Sequence, residues 1–248
     1  MNFPHEVVRW FNDPAHWRGD RGIPNRVFEH VQYSVCAIVA AVILAVPLAV
    51  WLGHRRQFGT IAMNVSNIGR AVPSFAILVL GTQLFGLLEY PVIGSFTTFI
   101  ALVALAVPPL VTNAYVAVAE VPDELRDAAR GMGMTEGEIL RQVELPVAAP
   151  LLMAGVRTAA TAVVATATIA AFTGAGGLGR FIIDGRATFV NEEIFAGAVL
   201  VAGLSLITEL GLGGAQRWLT PRGLRTEIAA GRAAVVASPS TPEGKVRP

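Results

Sequence analysis

Residues Val121–Pro146 read VPDELRDAARGMGMTEGEILRQVELP, with nine charged side chains in 26 positions. The runs on either side are the opposite in character: Phe96–Ala119 carries no charge, and Val147–Phe172 carries only Arg157. Crossing about 30 Å of hydrocarbon takes about 20 apolar residues in a helix, and each flank is long enough. A polar segment between two such runs belongs at a membrane surface. The chain is therefore expected to be an all-α, polytopic membrane protein.

Composition points the same way. The 248 residues are 53% hydrophobic and 15% charged, whereas soluble domains carry about 25% charged residues. A net charge of +1 gives no reason to expect nucleic acid as a partner. The single Cys36 lies in an apolar run and allows no intrachain disulfide, and the four histidines have no metal-ligand spacing. No Ser/His/Asp or Cys/His arrangement stands out, so neither a catalytic site nor a metal site is expected.

Five apolar runs are candidate spans: Val31–Leu52 with a kink at Pro47, Thr60–Leu88, Phe96–Ala119 interrupted by Pro108-Pro109, Val147–Phe172, and Ile194–Gly213. The second is long for one straight helix and carries Arg70 and Pro73, which suggests an oblique, broken helix. Short loops rich in arginine favour the cytoplasm. His54-Arg55-Arg56, the arginines 126, 130 and 141, and Arg217, Arg222 and Arg225 place the N-terminus outside and residues 120–146 and the C-terminus inside. Four arginines in residues 1–29 and the pair Arg180/Arg186 argue the other way. Residues 1–29 read as an interfacial segment marked by Trp10 and Trp17, residues 30–216 as the membrane domain, and 217–248 as a cytoplasmic tail ending in disorder.

Within the polar segment, Pro122 suits a first helical position, and Asp123 and Glu124 favour the positive end of a helix dipole. A helix over Asp123–Arg130 should end in a turn at Gly131/Gly133. Thr135 with Glu138 three residues on forms a capping box for a second helix to about Glu144, and Pro146 should start the next span. The small pair Ala128-Ala129 leaves a shallow surface open to close approach. On these grounds alone, a plain solvated connector and a partner-binding surface are equally open.

The spacing Asp127-Ala128-Ala129-x3-Gly133-x9-Val143-x-Leu145-Pro146 resembles the cytoplasmic loop motif of ABC importer permeases, with Asp127 in place of Glu and Val143 in place of Ile. The string Asp127–Thr135 and the Val143–Pro146 ending resemble the osmoprotectant branch. So do Gly155-Val156-Arg157-Thr158-Ala159, Ala71-Val72-Pro73-Ser74 and Gly174–Gly179, although the last also resembles methionine-importer permeases. The resemblance covers about residues 25–215. It implies a type I importer permease fold in a bacterial inner membrane, with Asp127, Ala128, Ala129, Gly133, Val143, Leu145 and Pro146 forming a coupling helix seated on an ATPase. It further implies a dimer of ATP-binding subunits, an extracytoplasmic substrate-binding protein, and a second permease copy or sister permease. The chain has no phosphate-cradling Gly-x4-Gly-Lys-Ser/Thr loop, so ATP, the only cofactor implied, belongs to the partner.

Charges inside the spans are costly, about 2.5–3.5 kcal/mol each at mid-bilayer, so Arg70 and Arg157 should face protein, water or an interface. Arg157 is expected to pair with a carboxylate or helix-end carbonyls rather than touch substrate. Glu209 is expected in the interfacial layer, with an arginine partner as the alternative. A quaternary ammonium has no hydrogen-bond donors and is held on aromatic faces, so Phe75, Tyr115 and Phe172 join Arg157 as candidates along the substrate pathway. Gly174–Gly179 reads either as a turn between spans or as a periplasmic elbow at the pore mouth. The rivals to an osmoprotectant importer are the same machine carrying methionine or another small amino acid, and a channel or scaffold needing no ATP.

Overall fold

In the computed structural model the residues described are 3–56, 59, 64, 74–87 and 93–219. Among them every regular element is helical: α1 (Phe3–Asn12), a 3-10 turn (Pro14–Trp17), α2 (Ile23–Arg55), α3 (Ser74–Leu87), α4 (Ile93–Ala119) and α5 (Asp123–Gly131). The chain continues through α6 (Glu136–Ile139), a π-helical turn (Leu140–Glu144), α7 (Leu145–Thr166), a 3-10 stretch (Ala167–Thr173), α8 (Gly179–Thr188) and α9 (Asn191–Leu219). By length and composition four helical stretches can cross a membrane: 23–55, 96–119, 136–173 and 191–218. The second expected span, Thr60–Leu88, is described chiefly as the 14 residues of α3. Arg70, Ala71-Val72-Pro73, most of the Glu89–Ser95 loop and the tail from Arg222 lie outside the described residues.

The core is a seam of small side chains. Ala37, Ala41, Ala45 and Ala49 recur every four residues along one face of α2 and are buried. That face meets Leu102, Ala106 and Leu110 of α4, with Ala159 and Val163 of α7 closing the three-helix cluster. Lipid tails are as apolar as leucine, so spanning helices gain little from hydrophobic burial against each other and rely on close packing instead. Two glycines show how close. A Cβ on Gly53 of α2 would lie 2.7 Å from the Tyr115 carbonyl oxygen of α4, and one on Gly155 of α7 would lie 2.7 Å from Asn113 Cβ. Large apolar residues point the other way, with Leu44, Leu48, Ile207 and Leu210 all more than half exposed, as a lipid-facing surface requires.

The prolines do not divide the helices. α2 runs through Pro47 and α4 through Pro108-Pro109, which corrects the interruption expected in the third span. Each proline removes one backbone donor. Packing of α4 between α2 and α7 carries it across the gap, and Asn113 Nδ2 donates to the Pro109 carbonyl at 2.7 Å. α2 also starts at Ile23, earlier than the apolar run suggested, and α8 lies between the fourth and fifth expected spans.

Trp10, expected to mark the interfacial segment, is buried within the protein with Ile23, Leu178, Phe181, Ala196 and Val201. It stacks on His16 at 4.1 Å and meets Phe181 edge-on at 5.5 Å. An indole gains more area against three helices than at a lipid headgroup layer. Trp17 remains about half exposed.

Gly155→Leu should force α7 off Asn113 and cost about 1–3 kcal/mol of packing energy. A lowered unfolding midpoint in detergent checks it; an unchanged midpoint contradicts the seam described above.

Candidate functional site

The Val121–Pro146 segment folds back under the bundle as a helix–turn–helix. Pro122 is the N-cap of α5 rather than its first helical residue, and Asp123 and Glu124 occupy the first turn. Gly133 adopts φ +82 and makes the turn; Gly131 does not need a positive φ. At Thr135 the expected capping box is present, with the Glu138 carboxylate accepting from the Thr135 N–H at 2.8 Å. That bond holds the Glu138 carboxyl below the usual carboxylate range.

Beyond the cap the chain does not stop at Glu144 and restart at Pro146, as the sequence suggested. α6 runs through the π-helical turn directly into α7, with the Leu145 N–H reaching back five residues to the Leu140 carbonyl. One continuous helix therefore joins the polar segment to a membrane span.

α5 is sharply two-sided. Arg126 and Ala129 are buried, whereas Leu125 is 43% and Met132 75% exposed, and Asp127 and Ala128 are open. Of the small pair, only Ala128 offers a shallow surface, because Ala129 faces the bundle. Arg130 bridges Glu136 at 2.9 Å and Asp127 at 3.2 Å on the outer rim. The Arg130 hydrogen bond lowers the Glu136 carboxyl, the largest of several contributions. Val143 and Leu145 are partly buried and Pro146 is exposed, so the motif residues divide between a presented face and an anchored one.

The anchor is a buried charge cluster centred on Glu144, whose side chain is fully enclosed. His54 Nδ1, at the end of α2, donates to Glu144 Oε2 at 2.8 Å. Arg126 Nε lies 3.2 Å from Glu144 Oε1, an ion pair without hydrogen-bond alignment. The same guanidinium donates to the Val118 carbonyl at 2.7 Å. Burial pulls Arg126 below its usual range, opposed by the Glu144 charge. Beside it Arg56 reaches Asp123 at 2.5 Å and the Val121 carbonyl at 2.9 Å. Reading from sequence missed this cluster, because His54, Arg56 and Arg126 registered only as markers of membrane side and Glu144 fell on an unassigned motif position. The available signal was a carboxylate at the mouth of an apolar span, which has to find a partner.

The candidate pathway residues are not brought together. Tyr115 packs near the polar-segment end, beside Ala49, Ala114 and Leu145. Phe172 lies at the opposite end, 62% exposed, and the Phe75 side chain is outside the described residues. Arg157 is taken up by Glu209 at 2.9 Å, with Gln216 accepting a second hydrogen bond at 3.0 Å. Glu209 thus partners an arginine between α7 and α9, the alternative of its two readings.

At the far end, Gly174 (φ +79) and Gly177 (φ +91) shape the turn after α7. The Gly177 N–H donates to Glu29 at 2.7 Å and the Leu178 N–H to His30 Nδ1 at 3.3 Å. With Nδ1 accepting, the His30 proton sits on Nε2 and is donated to the Val164 carbonyl at 2.8 Å. A cavity of about 590 Å³ opens beside this turn, lined by Arg21, Arg26, Arg180, Asp184 and Glu193 among others. No cluster of metal-binding side chains occurs among the described residues.

Residues 37–223 match the family described as binding-protein-dependent transport system inner membrane component. The chain belongs to this family. Among relatives of this inner membrane component, the choline transport system permease protein OpuBB of Bacillus subtilis (strain 168) is 36% identical over 200 residues, covering 81% of this chain and 89% of that one. The carnitine transport permease protein OpuCB of Listeria monocytogenes is 32% identical over 219 residues, covering 88% and 95%. The osmoprotectant import permease protein OsmW of Salmonella typhimurium is 32% identical over 215 residues, covering 86% and 100%. The fold is that of a type I importer permease: a chain of the inward-facing MetNI methionine ABC transporter superposes with TM-score 0.71 at 22% identity, over 85% of this chain and all of that one.

Two outcomes follow for this permease component. Arg126→Met should cost about 3–5 kcal/mol by stranding the buried Glu144 charge, and adding Glu144→Gln should recover part of the loss; a denaturant titration of the four sequences checks the non-additivity. The Glu138 cap contributes order above the ordinary carboxylate range, and that order is lost as pH falls through the depressed value. The protection factor of the Thr135 amide, measured against the intrinsic exchange rate at each pH, should therefore fall on acidification, and less so in Glu138→Gln.

Proposed function

We propose that this chain is the pore-forming permease of an ATP-driven importer whose cargo is a quaternary-ammonium osmoprotectant such as choline, carnitine or glycine betaine. One observation carries the transport mechanism: a two-sided helix–turn–helix, anchored beneath by Glu144 and presenting Leu125, Asp127, Ala128 and Met132 outward. Such a face needs an occupant. In this reading a dimer of ATP-binding subunits grips it in the cytoplasm, and hydrolysis is theirs. Asp127, Ala128, Gly133, Val143, Leu145 and Pro146 set the shape of the joint, with Ala129 packing its underside.

Closure of the ATPase dimer then moves α5 and α6, and the unbroken helix into α7 carries that motion into the membrane as rigid-body rearrangement. The N-terminus lies outside, where a binding protein delivers cargo, and the C-terminus lies in the cytoplasm. A second permease copy or a sister permease completes the pore. Tyr115 and Phe172, at the two ends of the bundle, and Phe75 are the aromatic faces offered to a passing cation.

The cargo assignment is supported by the relatives, which are permeases for choline, carnitine and osmoprotectants. The methionine transporter supports the fold alone, so the methionine reading gains nothing from it. An unaided channel has no use for the anchored polar face.

Two measurements separate these readings. Labelled choline, glycine betaine, carnitine and methionine are offered under high salt to a transport-null strain expressing the whole system; uptake of methionine alone would overturn the cargo. Asp127→Lys should release the ATPase subunit on purification and reduce uptake by about tenfold or more, the effect of losing about 1.4 kcal/mol at the joint. Retention of both would overturn the coupling role.

A further inference from the structure

α2 is tied by a histidine near each of its ends, to two different pieces of machinery. At the cytoplasmic end His54 holds Glu144, and through it Arg126 of α5. About 36 Å away along the helix, His30 holds the Leu178 N–H and the Val164 carbonyl, with Glu29 beside it on the Gly177 N–H. His30 is fully buried and His54 nearly so. Between the two ties the buried face of α2 is built on Ala37, Ala41, Ala45 and Ala49, with Ile38, Val42, Val46 and Val50 packed beside them. Its long-range polar ties thus lie near its ends, and the contacts between them are apolar.

α7 offers a covalent route between the same two places, but a less rigid one. Its α-helix ends at Thr166, and seven residues of 3-10 helix and a left-handed glycine intervene before the turn at Gly174–Leu178. 3-10 helix has poorer hydrogen-bond geometry than α-helix, and runs longer than three or four residues are uncommon. α2 stays α-helical over the whole distance, through Pro47, and its side chains grip the turn beyond that stretch.

We infer that His54 and His30 are positioning residues at the two ends of a strut, α2, which passes the state of the ATPase-facing segment to the Gly174–Leu178 elbow on the outer face. The inference rests on the coupling role proposed above. Motion of α5 displaces Glu144, His54 follows, and α2 shifts along its alanine seam and carries the elbow with it. Gly176 fits this tie closely, since a Cβ there would overlap the Glu29 carboxylate.

The test uses the assembled transporter, with its ATPase and binding protein, in liposomes. Ala175, buried in the elbow, is replaced by cysteine in a Cys36→Ser background, and its labelling by a membrane-impermeant maleimide is timed without nucleotide and after vanadate trapping with ATP. The labelling rate should differ by about fivefold or more between the two states. His54→Ala should abolish that difference while the ATPase subunit still co-purifies. His54→Asn, whose amide can take the place of Nδ1, should restore it, which simple damage to packing would not allow. Glu29→Ala tests the other end without touching the cytoplasmic cluster, and should also abolish it. A full nucleotide response in both alanine variants, or no response in the unmodified protein, overturns the strut. If the ATPase subunit fails to co-purify with the unmodified chain, the coupling role falls and the strut falls with it.

Discussion

A fully enclosed carboxylate at the mouth of a membrane span holds this protein together. Glu144 cannot be left bare there, because an unpaired buried charge costs far more than one hydrogen bond returns. Arg126 and His54 come to it from two separate elements. Their convergence fixes where α5 lies beneath the bundle, where α2 ends, and how α7 begins. The outward face of α5 is a consequence: with Arg126 and Ala129 committed inward, helical geometry leaves Leu125, Asp127 and Ala128 pointing away.

Within the membrane the constraint is different. Alanines and glycines bring α2, α4 and α7 into close contact, and among the described residues the charge within a span, Arg157, is paired. That pair, Arg157 with Glu209, is further satisfied by Gln216 and by Thr161. That network explains how a guanidinium is accommodated in a span without any call on substrate.

Much of this was legible in the sequence, because the signals were local. Apolar runs long enough to span gave the helices; Gly133 gave a left-handed turn; Thr135 and Glu138 gave a cap. The motif spacing gave the family. What stayed hidden depended on contacts distant in sequence: Glu144 and His54 are 90 residues apart, and Glu29 and Gly177 148 apart. The burial of Trp10 was hidden for the same reason, since it is a property of three packed helices. Pro108-Pro109 and Pro146 misled because a proline weakens a helix locally, while tertiary packing or a π turn decides whether it ends.

The π-helical turn at Leu140–Glu144 has a meaning for helical phase. An α-helix advances about 100° per residue, and a π turn slips one residue into the spiral. The azimuth of every side chain before it is thereby uncoupled from those after it. Ile139 and the cap can face the underside of the bundle while Ala148, Gly155 and Ala159 keep their own registration against α4. One uninterrupted backbone thus serves two surfaces that no regular helix could align together, and it does so without a loop that would slacken under load.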